Sequence, residues 1–256
     1  MIVFLTAIRH YKNSVSYDQE WKLLNDTLVS VCNQRDKRFR VVVVSNKRLP
    51  LLRKSKELLS VTDFVEVDFP PRSQKGMEGL SLDKGSKCAM GLIVCKKYKP
   101  DHVMIFDADD FIGNAVSKYV NQHKKCNGWQ MKKGYWMFDN RLHEHNAMQL
   151  YCGTSLIFRY ELLKPAMSAD VALDSTQEYL FQRLNRHFVE YILGRHRFAE
   201  AYLEKKGVPL EDYPFRSTVW NLSRSGSWSD LNQEMIGYEK YYQKSKESWR
   251  KITKEQ

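Results

Sequence analysis

Three acidic residues, Asp107, Asp109 and Asp110, directly follow the short apolar segment His102–Phe106. Such a segment predicts a buried strand, and carboxylates at the carboxyl end of a strand project into the crevice where open α/β sheets bind ligands. Because neighbouring negative charges repel one another, a cation is needed to compensate them. Oxygen ligands suit Mg²⁺ or Mn²⁺, which also bind water and substrate phosphates. The cluster therefore indicates a metal and phosphate site, with a solvated acidic turn as the alternative.

Basic residues occur where they could meet the phosphates of such a ligand. Arg9 follows a predicted strand, Ile2–Ala7, while Lys84 and Lys87 open a predicted helix, Asp83–Lys97, just before the acidic cluster. The amino end of a helix also offers free backbone N–H groups and the positive end of its dipole. The alternative is that each lysine is a solvated surface residue.

The elements that would position these residues alternate between strand and helix. Apolar residues at helical spacing predict a helix over Tyr17–Asn33, and the valine run in Phe39–Ser45 predicts a strand buried on both faces. A further strand is predicted over Phe64–Phe69, and the polar, glycine-containing segment Arg72–Ser81 is predicted to be a loop. This order predicts an α/β fold with a mixed, mostly parallel central sheet flanked by helices.

The second half of the chain has a more mixed pattern. We predict strands over Gln130–Phe138 and Gly153–Phe158, helices over Leu173–Arg197 and Phe198–Lys205, and a loop over Pro209–Pro214. Because no linker-like segment separates the two halves, we expect a single compact domain.

The composition excludes several classes of protein. The chain has 256 residues, of which 43% are hydrophobic and 28% charged, so it is neither disordered nor fibrous. Its net charge of +11, from 41 Lys and Arg against 30 Asp and Glu, favours polyanionic partners. The alternative is that the basic surface only maintains solubility.

The chain carries the features of an intracellular protein. No apolar run approaches the roughly 20 residues that cross a bilayer, and Met1–Ile8 lacks the basic start of a signal peptide. The five cysteines are odd in number and none forms a CxxC pair, so free thiols in a reducing compartment are expected. We therefore expect a cytoplasmic location.

Three segments together resemble the nucleotide-sugar half of GT-A fold glycosyltransferases, and glycosyltransferase family 2 in particular. They are TLVSVCNQRDKRFRVVVVSN (Thr27–Asn46), DKGSKCAMGLIVCKK (Asp83–Lys97) and HVMIFDADDFI (His102–Ile112), the last containing a DxD motif. The resemblance covers roughly the first 115 residues. It implies a single GT-A-like domain over 1–256, with a nucleotide-sugar half (1–115), an acceptor half (116–235) and an aromatic-basic helix or tail (236–256).

The resemblance also implies an activity. Such enzymes move a sugar from a nucleoside-diphosphate sugar to an acceptor hydroxyl, and family 2 members invert the anomeric centre. Mn²⁺ or Mg²⁺ would be held by Asp107 and Asp109, and we add His196 as a candidate third metal ligand because a late histidine often binds the metal in this class. The implied acceptor is a glycan or a lipid-linked glycan in surface polysaccharide synthesis.

By position, the resemblance implies a set of donor-binding residues. They are Thr6, Ala7, Arg9, Asn46, Lys84, Lys87, Asp107 and Ala108. Asn46 departs from the Asp that commonly follows the second strand in this family, which leaves recognition of the base open.

The acceptor half matches the family less well. Tyr151–Arg159 resembles the family's glycine-containing strand, but the Glu-Asp pair that often follows it is missing. Asp174 and Glu178 are the nearest acids and are the candidate catalytic bases, expected four residues apart on one helix face.

We predict that Asp110 contacts the acceptor. Two tryptophans, Trp129 and Trp136, could stack on an acceptor sugar, and the alternative for both tryptophan rings is packing in the core. The aromatic-basic segment Tyr238–Trp249 is predicted either to contact an anionic membrane surface at the cytoplasmic face or to pack as an ordinary helix.

Two other functions stay open. The segment VMIFDADDF also resembles the DxD strand of haloacid-dehalogenase-like phosphatases, although that family places the motif at the start of its fold. A basic nucleic-acid-binding protein is the third reading, but only the C-terminal segment mixes basic and aromatic residues in the required way. No nucleic-acid partner is therefore expected.

Overall fold

The computed structural model describes residues 1–52, 55–72, 76–138 and 141–222, so the predicted segment Tyr238–Trp249 lies outside the described residues. The strands are β1 (Ile2–Ala7), β2 (Phe39–Ser45), β3 (Thr62–Glu66), β4 (His102–Phe106), β5 (Phe111–Ile112), β6 (Gly128–Gln130), β7 (Gly134–Phe138), β8 (Arg141–His145), β9 (Leu156–Arg159), β10 (Glu211–Asp212) and β11 (Thr218–Asn221). The helices are α1 (Tyr17–Cys32), α2 (Lys56–Val61), α3 (Met77–Cys95), α4 (Val116–Gln122), α5 (Met148–Tyr151), α6 (Gln177–Arg183), α7 (Arg186–Phe188) and α8 (Ala199–Lys205). A π-helical turn spans Val189–Leu193, and 3₁₀ turns span Tyr11–Asn13, Lys96–Tyr98, Tyr160–Ala166 and His196–Phe198.

The central sheet is mixed and mostly parallel. Within the described part of the chain its order is β10-β6-β9-β4-β1-β2-β3. Strands β3, β2, β1 and β4 run parallel, whereas β9 runs antiparallel to both β4 and β6. The predicted α/β class with a mostly parallel sheet flanked by helices is confirmed.

The valine run of β2 is buried because helices cover both faces of the sheet. Val42 and Val44 pack into the layer that contains α3, while Val41 and Val43 pack into the layer that contains α1. All four side chains are fully buried. Successive strand residues point to opposite faces, so a continuous apolar run is what a doubly covered strand requires.

The predicted continuous helix over Leu173–Arg197 is wrong. Helix α6 begins only at Gln177, where the side chain of Thr176 accepts a hydrogen bond from the backbone of Tyr179, and Asn185 caps α7 in the same way. Both residues are favoured N-caps, and each starts a new helix after an extended residue. Apolar residues do recur at helical spacing in this segment, but these caps divide it into separate short helices.

Two other predicted boundaries also change. Helix α3 starts at Met77, inside the segment Arg72–Ser81 that was predicted to be a loop, because Gly76 takes a positive φ of 81° immediately before it. The predicted single strand Gln130–Phe138 divides into β6 and β7, which belong to different sheets. The smaller sheet has the order β5-β11-β7-β8 within the described residues, and it lies beside the acidic cluster because β5 follows Asp110 directly.

Helix α3 packs closely against the π-helical turn. A Cβ added to Gly85 would lie 2.0 Å from the carbonyl oxygen of Val189, and one added to Gly194 would lie 2.2 Å from the carbonyl oxygen of Ser81. Both contacts are to backbone, which cannot turn aside as a side chain can. Glycine at these two positions therefore allows the close approach of α3 to the segment that carries His196.

We expect Gly85→Ala to lower the free energy of unfolding by about 1–3 kcal/mol, because overpacking outweighs the better helix propensity of alanine. Urea unfolding measures this change. Gly91→Ala on the same helix is the matched comparison and should cost less, because its nearest clash, at 2.2 Å, is with the side-chain Cδ1 of Leu5. Equal stability of the wild type and Gly85→Ala would contradict this close packing.

No helix in the described ranges is both long and apolar enough to cross a bilayer.

Candidate active site

The acidic cluster lies at the carboxyl end of β4, the strand between parallel β1 and antiparallel β9 in the central sheet. Asp107 Oδ1 accepts a hydrogen bond from Lys84 Nζ at 2.5 Å, and the backbone N–H of Asp107 donates to Thr154 Oγ1 at 2.9 Å. The Lys84 and Asp107 side chains are 23% and 35% exposed, so the pair can be reached from solvent. The structure thus brings together a cation and an anion that the sequence places 23 residues apart.

The electrostatics keep Lys84 charged. Burial by itself would lower the pKa of Lys84, but the negative charge of Asp107 and the hydrogen bond to it hold that pKa above its ordinary value. The site therefore contains a permanent ammonium group beside its carboxylates.

Gly153 provides the space that the Asp107 carboxylate occupies. A Cβ at Gly153 would lie 2.2 Å from Asp107 Oδ2 and 2.8 Å from its Cγ. Any larger residue would therefore force the carboxylate away from the backbone and disturb its contact with Lys84. The glycine that the sequence marked in Tyr151–Arg159 has a steric role in the site.

We expect Gly153→Ala to weaken ligand binding at Asp107 by about 10- to 100-fold, the range measured when groups that orient a ligating side chain are altered. The fold should survive, because the clashing atoms are the end of a side chain that can turn. Calorimetric titration with Mn²⁺ and a nucleoside diphosphate, the ligands that the sequence resemblance implies, together with urea unfolding, separates the two effects. Unchanged affinity in Gly153→Ala would mean that the position of the Asp107 carboxylate does not affect ligand binding.

Asp110 is fully buried and joins the two sheets. Its Oδ2 accepts hydrogen bonds from Thr154 Oγ1 at 2.5 Å and Cys152 Sγ at 3.3 Å, and its Oδ1 accepts one from the backbone N–H of Asn221 at 3.1 Å. Burial, and then the charges of Asp109 and Asp107, raise the pKa of Asp110 well above its ordinary value. The structure thus places Asp110, which was predicted to contact an acceptor, inside the protein.

The turn between Asp107 and Asp110 is held by the first helix. Thr27 Oγ1 on α1 donates to the carbonyl oxygen of Ala108 at 3.0 Å, and the Asp110 N–H donates to the carbonyl oxygen of Asp107 at 3.2 Å. Asp109 is 7% exposed. The backbone of Ala108 is therefore engaged inside the protein.

His196 lies close enough to the cluster for the charges of Lys84 and Asp107 to act on it. Burial, followed by the charge of Lys84, lowers the pKa of His196 to about 4, so the ring is neutral at physiological pH. Its Nε2 atom is buried and has no hydrogen-bond partner among the residues that the structure describes. A neutral imidazole with an unpaired nitrogen is chemically able to bind a cation.

These residues fit a metal only in part. In the described residues no group of three or more His, Cys, Asp or Glu side chains is arranged to hold an ion. Mg²⁺, however, commonly uses one or two carboxylates together with substrate phosphates and water. The Nε2 of His196, which has no partner among the described residues and lies on a ring that feels the charge of Asp107, is compatible with that second mode.

The predicted donor-binding residues on β1 and β2 have mixed environments. Thr6 is buried and Ala7 is half-buried at the end of β1, and Arg9 Nη1 lies 3.6 Å from Glu20 Oε1. The Asn46 amide nitrogen donates to the carbonyl oxygens of Val67 at 3.0 Å and Phe69 at 2.8 Å, so Asn46 holds the chain that follows β3.

Lys87 does not face the cluster. It is fully buried, and its Nζ lies 2.7 Å from the carbonyl oxygen of Ile8 and 2.8 Å from Asp83 Oδ1. Burial lowers the pKa of Lys87. The structure therefore places Lys87, a predicted donor contact, under the loop that follows β1.

The two predicted acceptor tryptophans are also buried. Trp129 lies in the core with its ring centroid 4.9 Å from that of His102, the environment given above as the alternative to a stacking surface. Trp136 is 3% exposed and is stacked on His145 at 4.1 Å, while Trp220 packs edge-on at 5.6 Å and is only half-buried. The more accessible ring of this group is thus Trp220.

The two candidate bases are exposed and do not share a helix face. Glu178 lies in the first turn of α6, whereas Asp174 lies in a turn before that helix begins. The expected four-residue spacing on one helix is therefore wrong.

Sequence reasoning missed several residues that shape the site. Thr154, Cys152 and Asn221 all bond to Asp110, and Asn221 reaches it from a strand 111 residues away. Thr154 and Cys152 lie in the glycine-containing segment Tyr151–Arg159, whose resemblance to a family strand had drawn attention to it. Nothing in the sequence pointed to Asn221.

Comparison with known proteins gives a distant structural likeness. No family model matches the chain, and no curated protein matches it. The structure of S. aureus TarS 1–349 is 12% identical with a TM-score of 0.45, and covers 86% of this chain and 60% of its own. The same protein in complex with UDP is 13% identical (TM-score 0.48; 87% and 61% covered), and its complex with UDP-GlcNAc is 13% identical (TM-score 0.42; 89% and 60% covered). The chain spans about 60% of the length of these structures, and at these scores the likeness assigns neither family nor function.

Proposed function

We propose that this protein is a glycosyltransferase that moves a sugar from a nucleoside-diphosphate sugar to an acceptor hydroxyl. The observation that carries the proposal is the Lys84–Asp107 pair at the carboxyl end of β4, with Asp109 and His196 beside it. Ligands of open α/β sheets bind at this edge. The resemblance of Thr27–Asn46, Asp83–Lys97 and His102–Ile112 to family 2 enzymes supports the same reaction.

Lys84 suits the leaving group of this reaction. Negative charge develops on the diphosphate as the glycosidic bond breaks, and a fixed ammonium group stabilises it without having to reorganise. Because Lys84 is held by Asp107 and remains charged, it is already placed at the site before a donor arrives. Asp107 thus orients the cation and is itself a candidate ligand for a metal.

Mn²⁺ or Mg²⁺ would be held by Asp107, Asp109 and His196, and when bound would neutralise charge on the departing diphosphate. The remaining donor contacts that we propose come from Thr6 and Ala7 at the end of β1, from Arg9 in the loop that follows it, and from Ala108. Asn46 would contribute to donor binding indirectly, because its hydrogen bonds to the carbonyl oxygens of Val67 and Phe69 fix the path of the chain that follows β3.

The acceptor would approach from the smaller sheet. Trp220 on β11 pairs in register with Trp136 and immediately precedes Asn221, whose N–H bonds to Asp110. A half-buried ring this close to the acidic cluster can stack on the apolar face of a sugar. Asp174 or Glu178 remains our candidate base for an inverting displacement onto a glycan or lipid-linked acceptor.

We expect Trp220→Ala to raise the KM for a saccharide acceptor by up to about tenfold, because an aromatic contact contributes about 0.5–1.5 kcal/mol beyond its buried area. Donor affinity should stay unchanged. Phe215→Ala is the matched control, since Phe215 is 53% exposed and contacts Tyr119 and Tyr213 instead. Equal effects of the two substitutions would contradict this placement of the acceptor.

The experiment that tests the proposed reaction is thermal unfolding with UDP, GDP and UDP-GlcNAc, each with and without Mn²⁺. A ligand at about 100 times its Kd should add about 2.7 kcal/mol of stability. We expect one nucleotide to stabilise the wild type in a metal-dependent way, and Asp109→Ala and Lys84→Met to lose that effect. The matched control is Lys132→Met, which removes an ammonium from the exposed pair with Asp212.

Other outcomes would overturn the proposal. Hydrolysis of a generic phosphoester without transfer would favour the phosphatase alternative. Stabilisation by an oligonucleotide that falls steeply with salt, with no effect of nucleotides, would favour nucleic-acid binding.

We propose a cytoplasmic setting with contact to an anionic membrane. Co-sedimentation with phosphatidylserine vesicles tests this membrane contact.

A further inference from the structure

A buried ion pair on α3 lies beneath the loop that follows β1. Asp83 and Lys87 are one helical turn apart, with 2.8 Å between Asp83 Oδ1 and Lys87 Nζ. The Lys87 side chain is fully buried and that of Asp83 is 8% exposed. Removing two charges from water is costly, and an apolar pair of similar volume is often as stable. Stability alone therefore does not account for the pair.

The pair bonds to both ends of the segment Ile8–His10. Lys87 Nζ donates to the carbonyl oxygen of Ile8 at 2.7 Å, and Asp83 Oδ2 accepts from the backbone N–H of His10 at 3.3 Å. Arg9, the residue between them, is one of our proposed donor contacts. The backbone on either side of Arg9 is thus fixed by two charged groups from a single helix.

The rest of this loop is also held by polar contacts. The Ile8 N–H donates to the carbonyl oxygen of Val44, and the Lys12 N–H donates to His10 Nδ1. Asn13 Oδ1 accepts from the Arg72 N–H. The 3₁₀ turn Tyr11–Asn13 contains no buried residue, so polar contacts supplement the packing of the buried Ile8 and His10 in setting the path of the chain.

The same helix also carries Lys84, which contacts Asp107. Lys84 and Lys87 are three residues apart, and one contacts the acidic cluster while the other contacts the loop. A shift of α3 would therefore move both sides of the crevice together.

We propose that the Asp83–Lys87 pair is a positioning device that holds Ile8–His10, and with it Arg9, in the geometry that binds the diphosphate of the donor. This inference rests on the proposed function for its ligand. Neither residue touches the donor; both act through the loop backbone.

The test compares Lys87→Met, Asp83→Leu and the double variant. Each single substitution leaves a buried charge without its partner, so both should lower the melting temperature. The double variant should regain part of the lost stability, because no unpaired buried charge remains, although the Ile8 carbonyl and the His10 N–H stay without their partners on α3. It should still bind UDP with Mn²⁺ at least tenfold more weakly than the wild type, because neither Ile8 nor His10 regains its bond.

Amide hydrogen exchange gives a readout that does not depend on the ligand. We expect exchange of the backbone around Ile8–His10 to be faster in the double variant, even where its melting temperature equals that of the wild type. Lys87→Gln supplies a neutral donor to Ile8 and should keep more UDP affinity than Lys87→Met. The comparison of Lys87→Gln with Lys87→Met uses single variants only, so it still tests whether the pair positions the loop if the double variant fails to fold.

The matched control is a more exposed ion pair between the 3₁₀ turn Lys96–Tyr98, which follows α3, and strand β3. Lys97 Nζ lies 2.8 Å from Asp63 Oδ2, and Lys97→Met with Asp63→Leu should leave both UDP affinity and exchange at Ile8–His10 unchanged. Wild-type affinity and exchange in the Asp83–Lys87 double variant would overturn the inference. If the wild type binds no nucleotide, the proposed function fails, while exchange still decides whether the pair positions the loop.

Discussion

Asp107→Asn is expected to reduce sugar transfer by about 10²- to 10³-fold, the usual cost of removing one preorganised electrostatic group from an active site. Asparagine has the size of aspartate, so it preserves the contact with the Gly153 backbone. It removes the negative charge that holds Lys84 Nζ at 2.5 Å. The ammonium is then no longer fixed where the diphosphate would bind, and a metal would lose a charged ligand.

The measurement is kcat/KM with UDP-GlcNAc, or with the donor that stabilises the wild type, together with the Kd for its nucleotide. Asp212→Asn is the matched control, because it makes the same change in the exposed pair with Lys132. The double variant Lys84→Met with Asp107→Asn should be no less impaired than Asp107→Asn alone. Wild-type transfer by Asp107→Asn would refute the assignment of the site.

Asp110→Ala is expected to cost at least about 2 kcal/mol of unfolding free energy, because each buried donor left without an acceptor costs about 1–3 kcal/mol. Thr154 Oγ1 and the Asn221 N–H both lose their partner. Relief of a buried carboxylate offsets part of this loss, since burial raises the pKa of Asp110 and so opposes its charged form. The smaller sheet should loosen as well, because Asn221 belongs to β11.

Urea unfolding measures the stability, and tryptophan fluorescence reports on the ring cluster around Trp136 and Trp220. Asp170→Ala is the control: its carboxylate is 63% exposed, and surface substitutions of this kind usually stay within about 0.5 kcal/mol. Asp110→Asn keeps one acceptor oxygen and should lie between the wild type and Asp110→Ala. An Asp110→Ala variant as stable as the wild type would show that this carboxyl group does not hold the sheets together.

Local sequence patterns predicted the centre of the fold well. The bounds of β1, β2 and β4 agree with the apolar runs that predicted them, because strands covered on both faces need continuous apolar side chains. The pattern did not separate Gln130–Phe138 into two strands or break Leu173–Arg197. Those outcomes depend on capping by Thr176 and Asn185 and on pairing with distant strands.

The sequence also showed where chemistry could occur, but not the role of each residue. It placed acidic residues after β4 and two lysines on the preceding helix. It could not tell that Lys84 meets Asp107 while Lys87 is buried under the β1 loop. Residues three apart lie on neighbouring sides of a helix, so only the distant segments that pack against α3 give the two lysines different surroundings. It also could not reveal that Asp110 is enclosed.

By itself, the sequence determined which strands are buried and that acidic and basic groups would meet at the carboxyl edge of the sheet. Both follow from local periodicity and from the rule that parallel strands end together. Only the tertiary structure decided which charges are exposed and which are internal. Asn221, 111 residues from Asp110, encloses that carboxyl group, and Gly153 leaves room for Asp107. The reason is physical: the environment of a charged group depends on the atoms that surround it in space, and most of those atoms come from distant parts of the chain.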